Sequence, residues 1–171
     1  MKVLICVFDA LRPEFVTPDL MPVLCGFAAG GVRYVNSRST YPTETRVNQS
    51  AVTTGCLPRR HGIVGNAFVA PELADGVLNT GDDAALSAAF ARGRVLEVPT
   101  LGQRLAASGK TYASLSAGTP GGGRLINWSA EADGSTRLAM NAPAACVPGD
   151  LFQACVDRVG PLPEYRLPGG K

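Results

Sequence analysis

Apolar and polar positions in the first forty residues predict a strand, a helix and a second strand. KVLICVF at 2–8 is continuously apolar and partly β-branched, which is typical of a strand covered on both faces of a sheet. Residues 19–31 follow a helical period that ends at Gly30-Gly31, and VRYVNS at 32–37 predicts another strand. The apolar face of the predicted helix carries Leu20, Val23, Leu24 and Phe27.

The rest of the chain continues this alternation. The pattern predicts a helix from about Thr45 to Gly55, a helix at 98–109, a strand at 110–118 and a loop, TPGGGR, at 119–124. Residues 71–94 are polar and contain Gly and Asp, which predicts an insertion or a surface excursion. Beyond Asn127 the periodicity weakens. This order of elements is typical of an α/β fold with a mostly parallel sheet flanked by helices.

Composition then narrows the classes of function. The 171 residues are 46% apolar and 18% charged, which suits one globular domain or part of a larger one. The net charge is only +2 and the basic residues are scattered, so we expect no nucleic-acid-binding surface. We also expect no membrane span and no signal peptide, because the apolar runs are short. Five Cys residues without metal-binding spacing indicate reduced thiols. We therefore predict a cytoplasmic protein and leave the oligomeric state open.

Hydroxyl groups crowd the stretch TYPTETRVNQSAVTTG at 40–55. Thr45 is expected at or next to the N-cap of its helix, where unpaired N–H groups and the helix dipole favour anions. Asp9 ends the first predicted strand and Thr45 follows the second, so both are expected at one rim of the sheet. A carboxylate there would help to hold a divalent metal, which lowers the pKa of a coordinated hydroxyl and makes it a nucleophile. Asn66 could donate from its amide to a phosphoryl oxygen.

Each of these residues also has a simpler interpretation. Thr45 could be only a helix cap, and Asp9 and Asn66 could be only turn residues. Their occurrence in one ordered set favours the catalytic interpretation over the structural one.

Three ordered motifs carry a resemblance to a known family. VFDALRPE at 7–14, YPTETRVNQSAVTTGCLP at 41–58 and RRHGIVGN at 59–66 resemble the type I phosphodiesterase and nucleotide pyrophosphatase group of the alkaline phosphatase superfamily. LSAGTPGGGRLIN at 115–127 resembles a looser, later part of that family. The resemblance implies that 1–171 is the N-terminal part of one alkaline-phosphatase-like α/β domain. It also implies a small phosphate ester as substrate, either a phosphodiester or a nucleotide pyrophosphate.

The resemblance assigns roles to individual residues. It implies that Asp9 is a metal ligand, that Thr45 is the metal-bound nucleophile and that Asn66 binds a phosphoryl oxygen. By the same resemblance Thr43 shapes the turn and His61 supports its loop without binding metal. The chain departs from the family at Ala10, where Gly is usual.

The metal site that the resemblance implies is incomplete in this sequence. The family site holds two zinc ions with three Asp and three His, whereas this chain has 1 His. We therefore expect a truncated chain that is inactive as it stands. Two alternatives stay open: a carbon–phosphorus hydrolase of the phosphonoacetate type, and a non-catalytic fragment that only binds phosphate or a partner.

Two further motifs are rejected. CLPRR at 56–60 matches the Cys-x-Pro-x-Arg pattern of sulfatases, but Thr54-Gly55 precedes the Cys, which places Cys56 after the helix instead of at its start. SGKT at 108–111 lacks the first Gly of a phosphate-binding loop and runs from helix to strand, the reverse of that motif.

Overall fold

The computed structural model describes residues 2–71, 73, 76–92 and 95–163. The chain divides into two compact units, Met1–Ser39 and Thr40–Lys171. Each unit is described by itself below.

The first unit contains one α-helix among its described residues, α1 (Pro22–Ala29), preceded by a 3₁₀ turn at Pro13–Phe15. The helix ends at Gly30, as the sequence predicts. Its apolar face is not buried, however, because Phe27 is 81% exposed and no residue of α1 is buried. The predicted helical residue Leu20 lies before the helix.

The two strands predicted in this unit do not form. Residues 2–8 and 32–37 make no ladder with any described residue, and Val3 and Leu4 are 72% and 86% exposed. An apolar run becomes a strand only when a neighbouring strand pairs with its backbone and other elements cover its side chains. Since the described residues of the first unit supply neither, the prediction of strands at 2–8 and 32–37 is wrong for this structure.

The second unit holds most of the secondary structure. Its described residues form seven α-helices, four strands and a 3₁₀ turn at Pro143–Ala145. In chain order the elements are α2 (Thr45–Thr54), α3 (Pro58–His61), β1 (Ala67–Val69), β2 (Val77–Asn79), α4 (Asp83–Ala91), α5 (Leu101–Ala107), β3 (Ala113–Ser116), α6 (Pro120–Ile126), α7 (Ala130–Asp133), β4 (Thr136–Ala139) and α8 (Leu151–Val159).

The sheets in the described part of the chain are small. Strands β1 and β2 pair antiparallel, with Phe68 opposite Leu78, and β3 and β4 pair parallel, with Leu115 opposite Leu138. The chain is therefore mixed α/β, as predicted, but the parallel sheet has only two described strands. The expectation of a mostly parallel sheet is corrected to this extent, because residues 2–8 and 32–37 do not form strands.

The main hydrophobic core lies between α2, α4, α6 and the β1–β2 hairpin. Its fully or almost fully buried side chains include Val47, Ile63, Leu78, Leu86 and Leu125. Burying side chains of this size contributes roughly 1.5–3 kcal/mol each, so this cluster is the principal source of stability in the unit. It also supports α2 from behind.

Part of the predicted excursion at 71–94 belongs to this core. Leu78 of β2 and Leu86 and Ala89 of α4 are buried, and the Asp82 side chain caps α4 by accepting from the N–H groups of Ala84 and Ala85. The described part of the segment thus contributes buried side chains to the core. That 71–94 is an insertion or a surface excursion stays a prediction.

TPGGGR forms a helix and not the predicted loop. Thr119 caps α6 by accepting from the N–H of Gly122, and Pro120 occupies the first turn, where it needs no N–H partner. Gly121 lies against the backbone of Thr80 and Gly81, and a Cβ there would come within 2.8 Å of the Leu86 side chain. The glycines therefore allow α6 to pack closely against its neighbours, and they do not indicate a flexible loop.

The structure confirms predicted elements whose ends are marked by nearby residues such as Gly or a capping side chain. Helix α2 ends at Gly55 with φ of 68°, and α5 begins with a capping box in which Thr100 and Gln103 bond each other's backbone N–H. Strand β3 lies within the predicted segment 110–118. Cys56 follows α2 and precedes α3, as the rejection of the sulfatase motif requires.

The sequence beyond Asn127 forms α7, β4 and α8, although its periodicity is weak. The guanidinium of Arg137 is fully buried on β4 and donates to the carbonyl groups of Ala145 and Asn127 and to the Glu131 carboxylate. An arginine at the centre of a strand breaks the apolar pattern by which a buried strand is recognised.

Candidate active site at the start of helix α2

Thr45 is the first residue of α2, next to the N-cap residue Glu44, as predicted. Glu44 has extended backbone angles, φ −99° and ψ 149°, and its own side chain does not cap the helix. Both residues are half-buried. The hydroxyl of Thr45 therefore lies in the first turn, where the helix dipole favours negative charge.

Asn66 reaches this helix start from twenty residues further along the chain. Its side-chain Oδ1 accepts a hydrogen bond from the backbone N–H of Arg46, with 3.1 Å between N and Oδ1. Its backbone N–H donates to the carboxylate of Glu44. The structure thus brings together Thr45 and Asn66, two of the residues that the sequence predicts for the site.

Thr80 holds the backbone carbonyl group of Asn66. The backbone N–H and the hydroxyl of Thr80 both donate to the carbonyl oxygen of Asn66, at 2.9 and 2.7 Å. The guanidinium of Arg46 donates from Nε to the same Thr80 hydroxyl, at 3.3 Å. Thr80 is fully buried, so this network orients Asn66 rigidly against α2.

Asn48 holds the chain that leads into α2. Its Oδ1 accepts from the backbone N–H of Thr40, at 2.8 Å, and its Nδ2 donates to the carbonyl oxygen of Glu44, at 3.0 Å. One side chain thereby joins residues 40 and 44 to the first turn of the helix. Thr43 lies exposed in the bend between them, and its role in shaping the turn stays a prediction.

Sequence reasoning assigned no role to Glu44, Arg46, Asn48 or Thr80. Asn48 carried a usable signal, because an Asn side chain four residues after Glu44 can bond that residue's carbonyl group along a helix. Nothing local marks the other three, whose partners come from distant parts of the chain.

His61 is buried in the core behind the site. Its Nδ1 accepts from the backbone N–H of Ile63, at 3.2 Å, and burial lowers the pKa of the imidazole below its ordinary value of 6.5. Its Nε2 has no hydrogen-bond partner among the described residues. A neutral imidazole held in this way supports the loop that carries Asn66, in agreement with the structural role expected for His61.

Comparison with known families decides the identity of the chain. The sequence model of the family described as type I phosphodiesterase / nucleotide pyrophosphatase matches residues 3–146. The chain belongs to the type I phosphodiesterase / nucleotide pyrophosphatase family. No curated protein and no solved structure gave a significant match in the same comparisons. Membership makes a hydrolase of the phosphodiesterase and pyrophosphatase type the expected activity class of this family member.

Asp9, the metal ligand that the family resemblance implies, lies in the first unit. It is exposed and follows residues 2–8 in a turn. Ala10 has φ of 60°, in the left-handed region, where a side chain costs roughly 1–2 kcal/mol. The methyl group of Ala10 therefore strains the turn, at the position where the family resemblance implies Gly. That Asp9 acts together with Thr45 stays a prediction.

The described residues do not match the full metal set implied for the family. They contain no group of three or more His, Cys, Asp or Glu side chains that could hold a metal ion. The side chain of His61 already accepts from a backbone N–H inside the core. The donor set in the described part of the chain therefore does not fit two zinc ions. Within the same residues, no helix is long and apolar enough to cross a membrane.

Proposed function

We propose that this protein is a phosphoryl-transfer hydrolase of phosphodiesters or nucleotide pyrophosphates, with Thr45 as the nucleophile. The observation that supports the proposal is the hydrogen bond from the backbone N–H of Arg46, the residue after Thr45, to the side chain of Asn66 at the start of α2. Membership of the family supports the reaction class.

Asn66 is proposed to bind a phosphoryl oxygen through Nδ2. Its Oδ1 is engaged by Arg46, so the hydrogens of Nδ2 are the donors that remain, and none of the described residues accepts from them. The same hydrogen bond occupies the N–H of Arg46. A phosphate at the helix start is therefore bound by Asn66 in place of that N–H group, with the helix dipole adding to the attraction.

Thr45 is proposed to attack phosphorus in line: the bond from Thr45 Oγ1 to phosphorus forms as the bond from phosphorus to the leaving oxygen breaks, and the hydroxyl proton passes through water to the leaving group. The other substituent stays on phosphorus, so the intermediate is a phosphodiester of Thr45. Water then attacks this phosphorus, releases a phosphomonoester and returns a proton to Thr45. Asp9 and Thr45 are the proposed contributions of this chain to metal binding, and they are too few for the two zinc ions of the family site. We therefore propose that these donors support only slow hydrolysis by this chain, and that the full rate needs donors beyond the described residues.

The test uses the full chain with bis(4-nitrophenyl) phosphate, with and without added zinc. Hydrolysis is followed by release of nitrophenolate, and phosphorylation of Thr45 by mass spectrometry after acid quenching. We expect Thr45→Ala to abolish both signals and Thr45→Ser to retain part of them, with circular dichroism unchanged in both variants. An undiminished rate in Thr45→Ala would contradict the role of Thr45.

A second candidate is a non-catalytic phosphate-binding protein, which the incomplete donor set favours. A wild-type chain that binds phosphate at Asn66 but neither turns over nor becomes phosphorylated with zinc present would support it. Parallel assays with 4-nitrophenyl phosphate and phosphonoacetate separate diester hydrolysis from monoester hydrolysis and from carbon–phosphorus cleavage. Tight binding of two zinc ions per chain would contradict the conclusion drawn from the donor set.

A further inference from the structure

We infer that the carboxylate of Glu44 selects the charge of the substrate, disfavouring phosphate groups that carry two negative charges. This inference rests on the proposed function, because it concerns a phosphate group bound between Thr45 and Asn66. Glu44 is neither the nucleophile, which is Thr45, nor the donor to phosphate, which is Asn66. It acts on the substrate through its charge.

The position of the carboxylate follows from its hydrogen bond. Glu44 accepts from the backbone N–H of Asn66, the residue whose side chain is proposed to bind the phosphoryl oxygen. Glu44 also directly precedes Thr45 in the chain. The Glu44 carboxylate is therefore held next to both groups that are proposed to contact the substrate, because it bonds Asn66 and its residue adjoins Thr45.

No ion pair with Glu44 is found among the described residues, since no Lys, Arg or His there makes a salt bridge with it. The nearest candidate in the chain, Arg46, instead donates from Nε to the hydroxyl of Thr80. The negative charge therefore acts against the positive end of the α2 dipole at the point where phosphate is proposed to bind.

A phosphodiester carries one negative charge, whereas a phosphomonoester carries close to two above pH 7. Repulsion by a fixed carboxylate grows with the charge of the ligand, so Glu44 penalises the monoester more than the diester. Because Glu44 is half-buried, water and salt reduce the difference, and we expect a factor of about two to ten in relative affinity.

The experiment compares dimethyl phosphate with methyl phosphate at pH 8, two small ligands that differ by one charge. Dissociation constants are measured on the full chain from ¹⁵N chemical-shift changes of the backbone amides of Thr45 and Arg46, which every variant retains. In Glu44→Gln an amide oxygen still accepts from the Asn66 N–H, so only the charge is removed. We expect affinity for methyl phosphate to rise about two- to tenfold more than affinity for dimethyl phosphate.

Two controls make the outcome specific. Asp157→Asn removes one negative charge from the exposed surface of α8 and should leave the ratio of the two dissociation constants unchanged. Glu44→Thr, a second neutral variant that keeps an acceptor, replaces Glu44→Gln if the latter does not fold. An equal change for both ligands in the neutral variants, or no change, would overturn the inference.

Failure of the proposed function gives a different result. If Asn66→Ala leaves the binding of both ligands intact, phosphate does not bind at this site and the proposed function itself is wrong. If Asn66→Ala abolishes binding of both ligands while the neutral Glu44 variants do not change the ratio, only the selection by charge is wrong.

Discussion

Asn66 Oδ1 lies 3.1 Å from the backbone nitrogen of Arg46 and accepts its hydrogen bond. A side chain from outside the helix thus provides the cap that the N-cap residue Glu44 does not provide with its own side chain. One amide group therefore has two separable tasks, because its oxygen stabilises α2 while its nitrogen is the proposed donor to phosphate.

Replacing Asn66 with Asp separates these two tasks. A carboxylate still accepts from the N–H of Arg46 and favours the helix dipole, but it has no donor and repels phosphate. We expect Asn66→Asp to keep the free energy of unfolding within about 0.5 kcal/mol of wild type while losing phosphate binding. Asn66→Ala should lose both, with a cost of about 1 kcal/mol in the free energy of unfolding.

The measurement pairs urea denaturation with a phosphate titration of each variant. If Asn66→Asp binds phosphate as wild type does, Nδ2 is not the donor. Equal stability of Asn66→Ala and wild type would show that the bond to Arg46 does not contribute to the stability of α2.

Gly121 is linked to the site through Gly81 and Thr80. Its N–H donates to the carbonyl oxygen of Gly81, at 3.0 Å. The neighbouring Thr80 donates from its hydroxyl to the carbonyl oxygen of Asn66. A Cβ at position 121 would overlap the carbonyl oxygen of Thr80 and lie 2.8 Å from the Leu86 side chain. We expect Gly121→Ala to destabilise the fold by about 3 kcal/mol and to weaken phosphate binding as Thr80 shifts. Urea denaturation and the phosphate titration measure the two effects.

Gly149 offers a matched control for this substitution. A Cβ at Gly149 would meet no atom within 4 Å, so Gly149→Ala should change the free energy of unfolding by less than about 0.5 kcal/mol. A similar effect of both substitutions would mean that the contact between α6 and Thr80 does not limit packing.

Features that depend on local chemistry could be predicted from the sequence. Gly30 and Gly55 end their helices because the backbone after a helix favours Gly, whatever the rest of the fold does. The family resemblance that the ordered motifs carry implied that Thr45 and Asn66 share a site. The structure bonds Asn66 to Arg46, the residue after Thr45. That the two residues act on one substrate stays a prediction.

Features that depend on distant partners could not be predicted. Three consecutive glycines favour a loop by local preference, but contacts of α6 with Thr80 and other elements make them helical. The run at 2–8 has the composition of a strand but no partner among the described residues. Glu44 shows the same limit in the site, because its bond to Asn66 joins residues 22 positions apart.

His61 makes the stability of the fold depend on pH above the range in which carboxylates titrate. Burial lowers the pKa of its imidazole in the folded state, whereas in the unfolded chain the pKa keeps its ordinary value of 6.5. Below pH 6.5 the unfolded chain therefore binds a proton that the folded chain does not, and the unfolded state gains stability. The contribution of neutral His61 is complete above pH 6.5 and is lost as the pH falls below it.

The check is urea denaturation at pH 7.5 and pH 5.5 for wild type and His61→Asn, whose Oδ1 can accept from the Ile63 N–H in place of Nδ1. We expect the wild type to be less stable at pH 5.5 and the variant to show a smaller difference between the two pH values, whatever its absolute stability. The chain has 1 His, so no other imidazole contributes. Asp133 does not interfere in this pH range. Burial opposes the shift, but hydrogen bonds from Ser135 and Ser129 lower the pKa of its carboxyl group below the ordinary value of 3.8. Its contribution to the free energy of unfolding is therefore lost only near and below pH 3.8. An equal pH dependence in both proteins would show that His61 is not the group responsible.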